Sequence, residues 1–95
     1  MYRLSLFLVA FFVFHFAGGA LAAPRVATSI KPVDDLVRAV MVGVGQPMLL
    51  IPPGSSPHHY ALKPSERLAA ERAEVVFWIG PQVERPLVKV LQSTK

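Results

Sequence analysis

The chain has 95 residues, no cysteine and a formal net charge of +4, and 53% of its residues are hydrophobic. Its basic residues are spread singly, without Lys/Arg runs or interleaved aromatics, which argues against a nucleic-acid partner. The sequence has no cysteine, no Ser/His/Asp spacing and no glycine-rich phosphate loop, so it lacks the motifs of the common enzyme classes.

The amino-terminal residues predict a secretory signal peptide, residues 1–22. Arg3 precedes an apolar stretch from Leu4 to Phe16, and Ala20-Leu21-Ala22 has the small residues of a cleavage site. The apolar stretch is shorter than the roughly 20 residues that a membrane-spanning helix requires. Because no cysteine follows to carry a lipid, we expect residues 23–95 to be soluble in the periplasm of a double-membraned bacterium.

After the signal peptide, apolar runs alternate with helical patterns. Strands are predicted at residues 25–30, 47–51 and 75–79. A helix is predicted over residues 33–44 from one apolar face, formed by Val33, Leu36, Val37, Val40, Met41 and Val44. Pro64 suits the first position of a second helix. The third strand is apolar throughout, which is typical of a strand buried on both faces.

This order of strand, helix, strand, helix, strand predicts an α/β fold with a partial parallel sheet, because helical links return each strand in the same direction. Ligands of such open sheets bind outside the carboxyl ends of the strands. The loops at Ser29-Ile30-Lys31, around His58, and at Gly80-Pro81 should therefore share one edge of the sheet.

His58 and His59 are the candidate metal ligands. Neutral imidazole binds Zn²⁺ well, and Pro57 restricts the backbone directly before His58. Neighbouring side chains on extended backbone point to opposite sides, so we expect the two histidines not to bind one ion together. An exposed histidine pair is more often a solvated loop, and only the surrounding pattern favours a metal site at His58. His59 stays a second candidate.

Other polar and aromatic residues have structural explanations. Asp34 and Asp35 lie in the first turn of the predicted helix, and Glu84 in the first turn of a helix after Gly80-Pro81, where the helix dipole favours negative charge. Tyr60 is expected to pack the loop onto the sheet, and Trp78 to lie in the core.

Three segments carry a family resemblance: ATSIKP from Ala27, PPGSSPHHYALKPSERL from Pro52, and AEVVFWIGPQVE from Ala73. Together they resemble the amino-terminal part of the zinc-binding solute receptors of ABC importers. The resemblance implies that residues 23–95 form part of the first of two α/β lobes, which are joined by a long helix and hold the metal between them. It also implies that His58 is a metal ligand, whereas His59 stands where an acidic residue often follows that ligand.

The resemblance implies that the protein captures Zn²⁺ in the periplasm and delivers it to the membrane permease of an ABC importer. It also implies that the protein is not an enzyme and that the complete receptor is a monomer. Since the family's other metal ligands come later in the chain, we expect the sequence to be the front of such a receptor. Alternatives are a manganese receptor of the same family, a secreted metal-dependent hydrolase, and a nonfunctional product that keeps only the motif. The hydrolase needs a second ligand cluster such as H-E-x-x-H, which residues 24–95 lack.

Overall fold

A computed structural model describes residues 22–93 of the chain. The elements are β1 (Val26–Thr28), α1 (Lys31–Val40), β2 (Met48–Leu49), α2 (Pro64–Arg72), β3 (Val75–Phe77) and α3 (Arg85–Ser93). The predicted signal peptide lies outside this region except for its last residue. Within the region, no helix has the length and apolar character needed to cross a membrane.

The three strands form one parallel sheet with the order β2-β1-β3. Ala27 of β1 is opposite Met48 of β2 on one side and Val76 of β3 on the other. The helices α1 and α2 make the two crossovers that this order requires, because parallel neighbours cannot be joined by a tight turn. The predicted α/β fold with a partial parallel sheet is therefore confirmed.

The strands are shorter than the predicted ones, although backbone pairing continues past their ends. Leu50 N donates to Thr28 O at 2.8 Å, and Ile51 N donates to Ser29 O at 2.9 Å. The chain bends at these residues, so regular strand geometry ends while the hydrogen bonds persist. These bonds fix the start of the loop after β2 against the end of β1.

Helix α1 begins two residues earlier and ends four residues earlier than predicted. Pro32 fits its first turn, where a missing backbone N–H costs no hydrogen bond. Beyond Val40 the chain turns, with Val44 N and Gly45 N both donating to Met41 O and with Gly43 at a φ of +81°. A glycine adopts that left-handed conformation without strain, so the chain turns after Val40 although the predicted apolar pattern continues to Val44.

The main core lies on the sheet face that is covered by α2 and α3. Its buried residues come from β1, the end of β2 and both helices: Ala27, Leu50, Ile51, Ala70, Leu87 and Val90. Tyr60 and Trp78 are partly buried and pack against this cluster, which confirms the predicted packing role of Tyr60 and places Trp78 at the edge of the core. The loop that contains Tyr60 is thus attached to the same core as the sheet.

The opposite face of the sheet is only partly covered, which contradicts the prediction that the third strand is buried on both faces. Val75 and Phe77 are each 45% exposed, because β3 is an edge strand and α1 packs mainly against β1 and β2. On α1, Leu36 is 72% and Val40 is 83% exposed. Between α1 and β3 these four side chains line an apolar groove of about 360 Å³.

Candidate metal-binding site

The candidate ligands lie in the segment that connects β2 to α2, residues 50–63, here called the His58 loop. It leaves the sheet at the carboxyl ends of the strands, where Ile51 is still paired with Ser29. Its first turn is closed by a hydrogen bond from Ser55 N to Pro52 O at 3.2 Å. Pro53 and Gly54 occupy the central positions, and the φ of +85° at Gly54 is the value that a type II turn needs there.

A second turn carries both histidines. His59 N and Tyr60 N donate to Ser56 O at 3.3 and 3.0 Å, so residues 56–60 fold around one carbonyl oxygen. Pro57 lies directly after that residue, at the position of a turn for which its fixed φ is suited. His58 follows at the apex, and its side chain is exposed, as is that of His59.

The backbone at His58 and His59 is therefore a turn, and the expectation of extended backbone was wrong. The two imidazole rings lie edge to face, with centroids 6.3 Å apart and an angle of 61° between their planes. The sequence carried the signal for this turn, since a proline followed by polar residues favours a turn over a strand. The argument that the two side chains must point to opposite sides consequently does not hold.

The loops after β1 and β2 meet at the carboxyl edge of the sheet. A cleft of about 180 Å³ lies between Ile30–Pro32 on one side and residues 51–55 with Pro57 on the other. Pro57 forms part of its wall, immediately before His58. This juxtaposition confirms the prediction for these two loops, as expected for parallel strands.

The far end of the His58 loop is held by Glu66, a residue of α2 that the sequence analysis did not single out. Its Oε1 accepts a hydrogen bond from the Tyr60 hydroxyl at 2.7 Å and one from Lys63 N at 2.8 Å. The bond from the hydroxyl, together with partial burial and the carboxylate charge, raises the pKa of Tyr60 above its ordinary value of 10.0. The signal available in the sequence was a glutamate three residues after the helix N-cap, as in a capping box.

Glu84 holds the loop that follows β3. It is fully buried, and its carboxylate accepts hydrogen bonds from Ile79 N at 2.7 Å and Gly80 N at 3.1 Å. Helix α3 begins one residue later, so Glu84 precedes the helix and the predicted position in its first turn was wrong. Backbone amides of the loop, which a sequence pattern does not reveal, satisfy this carboxylate.

Asp34 lies in the first turn of α1 as predicted, but the helix dipole is only part of its role. Its buried carboxylate accepts a hydrogen bond from the Thr28 hydroxyl at 2.7 Å and forms an ion pair with Arg38 at 3.2 Å. Arg38 in turn donates to Pro47 O at 3.3 Å, just before β2. Asp35 is exposed and pairs with Lys31. Both carboxylates thus have structural roles.

Residues 22–93 hold no group of three or more His, Cys, Asp or Glu side chains that could enclose a metal ion. The histidines of the loop therefore remain the candidate ligands in this part of the chain. A tightly held zinc ion normally takes four protein ligands, so further donors are required for such a site.

Comparison with known proteins identifies the family that the chain matches. Residues 26–95 match the family described as zinc-uptake complex component A, periplasmic. The high-affinity zinc uptake system protein ZnuA of Brucella abortus is 46% identical over 91 residues, which cover 94% of this chain and 27% of that protein. The protein of the same name from Yersinia pestis is 40% identical over 77 residues, covering 77% and 24%. The chain thus spans about a quarter of the length of these curated relatives.

Proposed function

Because the chain belongs to the family of periplasmic zinc-uptake component A proteins, we propose that it forms the first part of a receptor that captures Zn²⁺ in the periplasm. The receptor then delivers the ion to the membrane permease of an ABC importer, without catalysis and as a monomer. The names of the relatives from Brucella abortus and Yersinia pestis support this proposal, since both are high-affinity zinc uptake proteins.

The observation that carries the proposal is the position of His58. His58 is exposed at the apex of a proline-containing turn, and the residue before it, Pro57, lines the cleft at the carboxyl edge of the parallel sheet. Open α/β sheets bind their ligands at this edge. Neutral imidazole is a preferred zinc ligand, so His58 is the proposed donor from this lobe and His59 is the second candidate.

Periplasmic location follows from the same proposal. Residues 1–22 have the charge, apolar stretch and small residues of a cleavable signal peptide, and the family is described as periplasmic. Residues 23–95 then form the exported part of the lobe.

Titration of Zn²⁺ and Mn²⁺ into the exported chain, purified from the periplasm, tests the function. We expect weak zinc binding, because one or two imidazoles leave most of the coordination shell to water. His58→Ala should abolish it. Preferential binding of Mn²⁺ would favour the manganese receptor instead, and zinc binding that is unaffected by His58→Ala would contradict the assigned donor.

A further inference from the structure

Glu66 combines burial with hydrogen bonds that reach out of its own helix. The residue is 7% exposed, and a carboxylate at that depth is unfavourable unless hydrogen bonds satisfy it. A capping role for α2 explains the bond from Lys63 N, because the amide at the start of a helix has no acceptor within the helix backbone. It does not explain the second bond, from the Tyr60 hydroxyl, because Tyr60 lies in the loop three residues before Lys63.

Tyr60 is consequently fixed at two points. Its amide donates to Ser56 O, at the start of the turn that carries the histidines, and its hydroxyl donates to Glu66. Its ring also packs against the core. Any displacement of Tyr60 would move the end of the turn that begins at Ser56.

His58 lies inside this turn. On its amino-terminal side Pro57 has a fixed φ, and on its carboxyl-terminal side the chain reaches Tyr60 after one residue. The backbone that bears the imidazole is therefore restrained on both sides, by the proline ring and by the link from Tyr60 to Glu66. A restrained donor loses less conformational freedom when it binds an ion, which increases affinity.

We propose that Glu66 is a positioning residue for His58, acting through Tyr60 to present the imidazole to the metal ion. The inference rests on the proposed function, because it takes His58 as a zinc ligand. Loss of an outer-shell partner typically lowers metal affinity about 10–100-fold. Since Glu66 acts through the backbone rather than by a bond to the imidazole, we expect a loss near the lower limit, about tenfold.

The test follows the imidazole signals of His58 by NMR while Zn²⁺ is titrated into the exported chain and its variants. Glu66→Ala should weaken zinc binding about tenfold, and Tyr60→Phe should weaken it in the same direction. Glu66→Gln should restore most of the affinity, because the amide oxygen still accepts hydrogen bonds from Tyr60 and Lys63. In the metal-free protein, amide hydrogen exchange at His59 and Tyr60 should be faster in Glu66→Ala and near normal in Glu66→Gln.

Asp34→Asn is the matched control. It alters another buried carboxylate, whose bonds run to Thr28 and Arg38, so it should lower stability without changing zinc affinity. Equal loss of affinity in Asp34→Asn and Glu66→Ala would overturn the positioning role, as would unchanged affinity in both Glu66→Ala and Tyr60→Phe. If only His58→Ala weakens binding, the proposed function stands and the positioning role fails. If His58→Ala has no effect, the ligand assignment fails and the positioning role with it.

Discussion

The hydroxyl of Thr28 and the carboxylate of Asp34 are joined by a buried hydrogen bond of 2.7 Å that links β1 to α1. Both residues are almost completely buried, and the partly exposed guanidinium of Arg38 balances the charge of the carboxylate. The bond closes the short connection between strand and helix. It thereby attaches the first turn of α1 to the end of β1.

Asp34→Ala should destabilise the fold. The substitution leaves the buried Thr28 hydroxyl with only the long bond to Met48 O at 3.4 Å, and Arg38 without its ion pair. A poorly satisfied buried group costs about 1–3 kcal/mol. Urea unfolding of the exported chain, followed by circular dichroism, measures the loss. Asp35→Ala is the control, because Asp35 is exposed and its pairing with Lys31 contributes little. Equal midpoints for the two variants would show that the buried bond has no special role.

His58→Ala should lower zinc affinity more than His59→Ala in a complete receptor. A suitable protein is a hybrid in which residues 23–95 replace the matching segment of the Brucella abortus relative. Removal of His58 deletes the proposed direct donor, whereas removal of His59 as an outer-shell partner should lower affinity by about 10–100-fold or less. Calorimetric titration under one buffer compares the variants.

Both substitutions should leave the fold intact, because both side chains are exposed on the loop. Similar losses for the two variants would instead indicate that both imidazoles bind the ion. The edge-to-face proximity of the rings makes that outcome a real alternative.

Tyr60 should titrate above pH 10.0, the ordinary value for its phenol. Only Tyr2 and Tyr60 occur in the sequence, so Tyr60 alone contributes to the alkaline absorbance change once the signal peptide is removed. Because folding raises this pKa, the stability from the hydrogen bond is present below the unfolded value and is lost as pH rises through the folded value. In Glu66→Ala the midpoint should return toward 10.0; an unchanged midpoint would contradict the hydrogen bond.

Export should be followed by cleavage next to Ala22 or Ala23. Mass spectrometry of the periplasmic product should find Ala23 or Pro24 at the amino terminus. Ala22→Phe should block cleavage because the site requires a small residue, whereas Leu21→Phe should be tolerated at the variable position of the A-x-A pattern. Recovery of a membrane-embedded chain that still begins at Met1 would refute this assignment.

The sequence was sufficient for the order of elements and for the location of the candidate loop. Apolar runs and prolines mark the boundaries of β2 and α2 because they limit which backbone conformations are possible. The exposure of Val75 and Phe77 could not be predicted, because an apolar run looks the same in an edge strand and in a central one. That difference depends on which elements pack beside the strand.

The burial of the two glutamate carboxylates could not be predicted from the sequence patterns either. Glu66 and Glu84 look like ordinary surface charges of a helix start, and their partners are backbone amides and a hydroxyl in the preceding loops. A charged residue is usually exposed, so burial becomes predictable only when the geometry of those loops is known. The turn at His58, by contrast, was foreseeable from Pro57.

Each of these two loops is held by a glutamate of the helix region that follows it, and this arrangement affects how such a site can evolve. Glu66 and Glu84 each stand at or just before the start of the next helix and hold the end of the loop in front of it. Residues of the loops in front of these anchors, including His59, can then be exchanged without rebuilding the scaffold. Substitutions among the metal ligands can therefore accumulate independently of substitutions in the anchoring residues. Metal preference can then change during evolution while the fold of the lobe is retained.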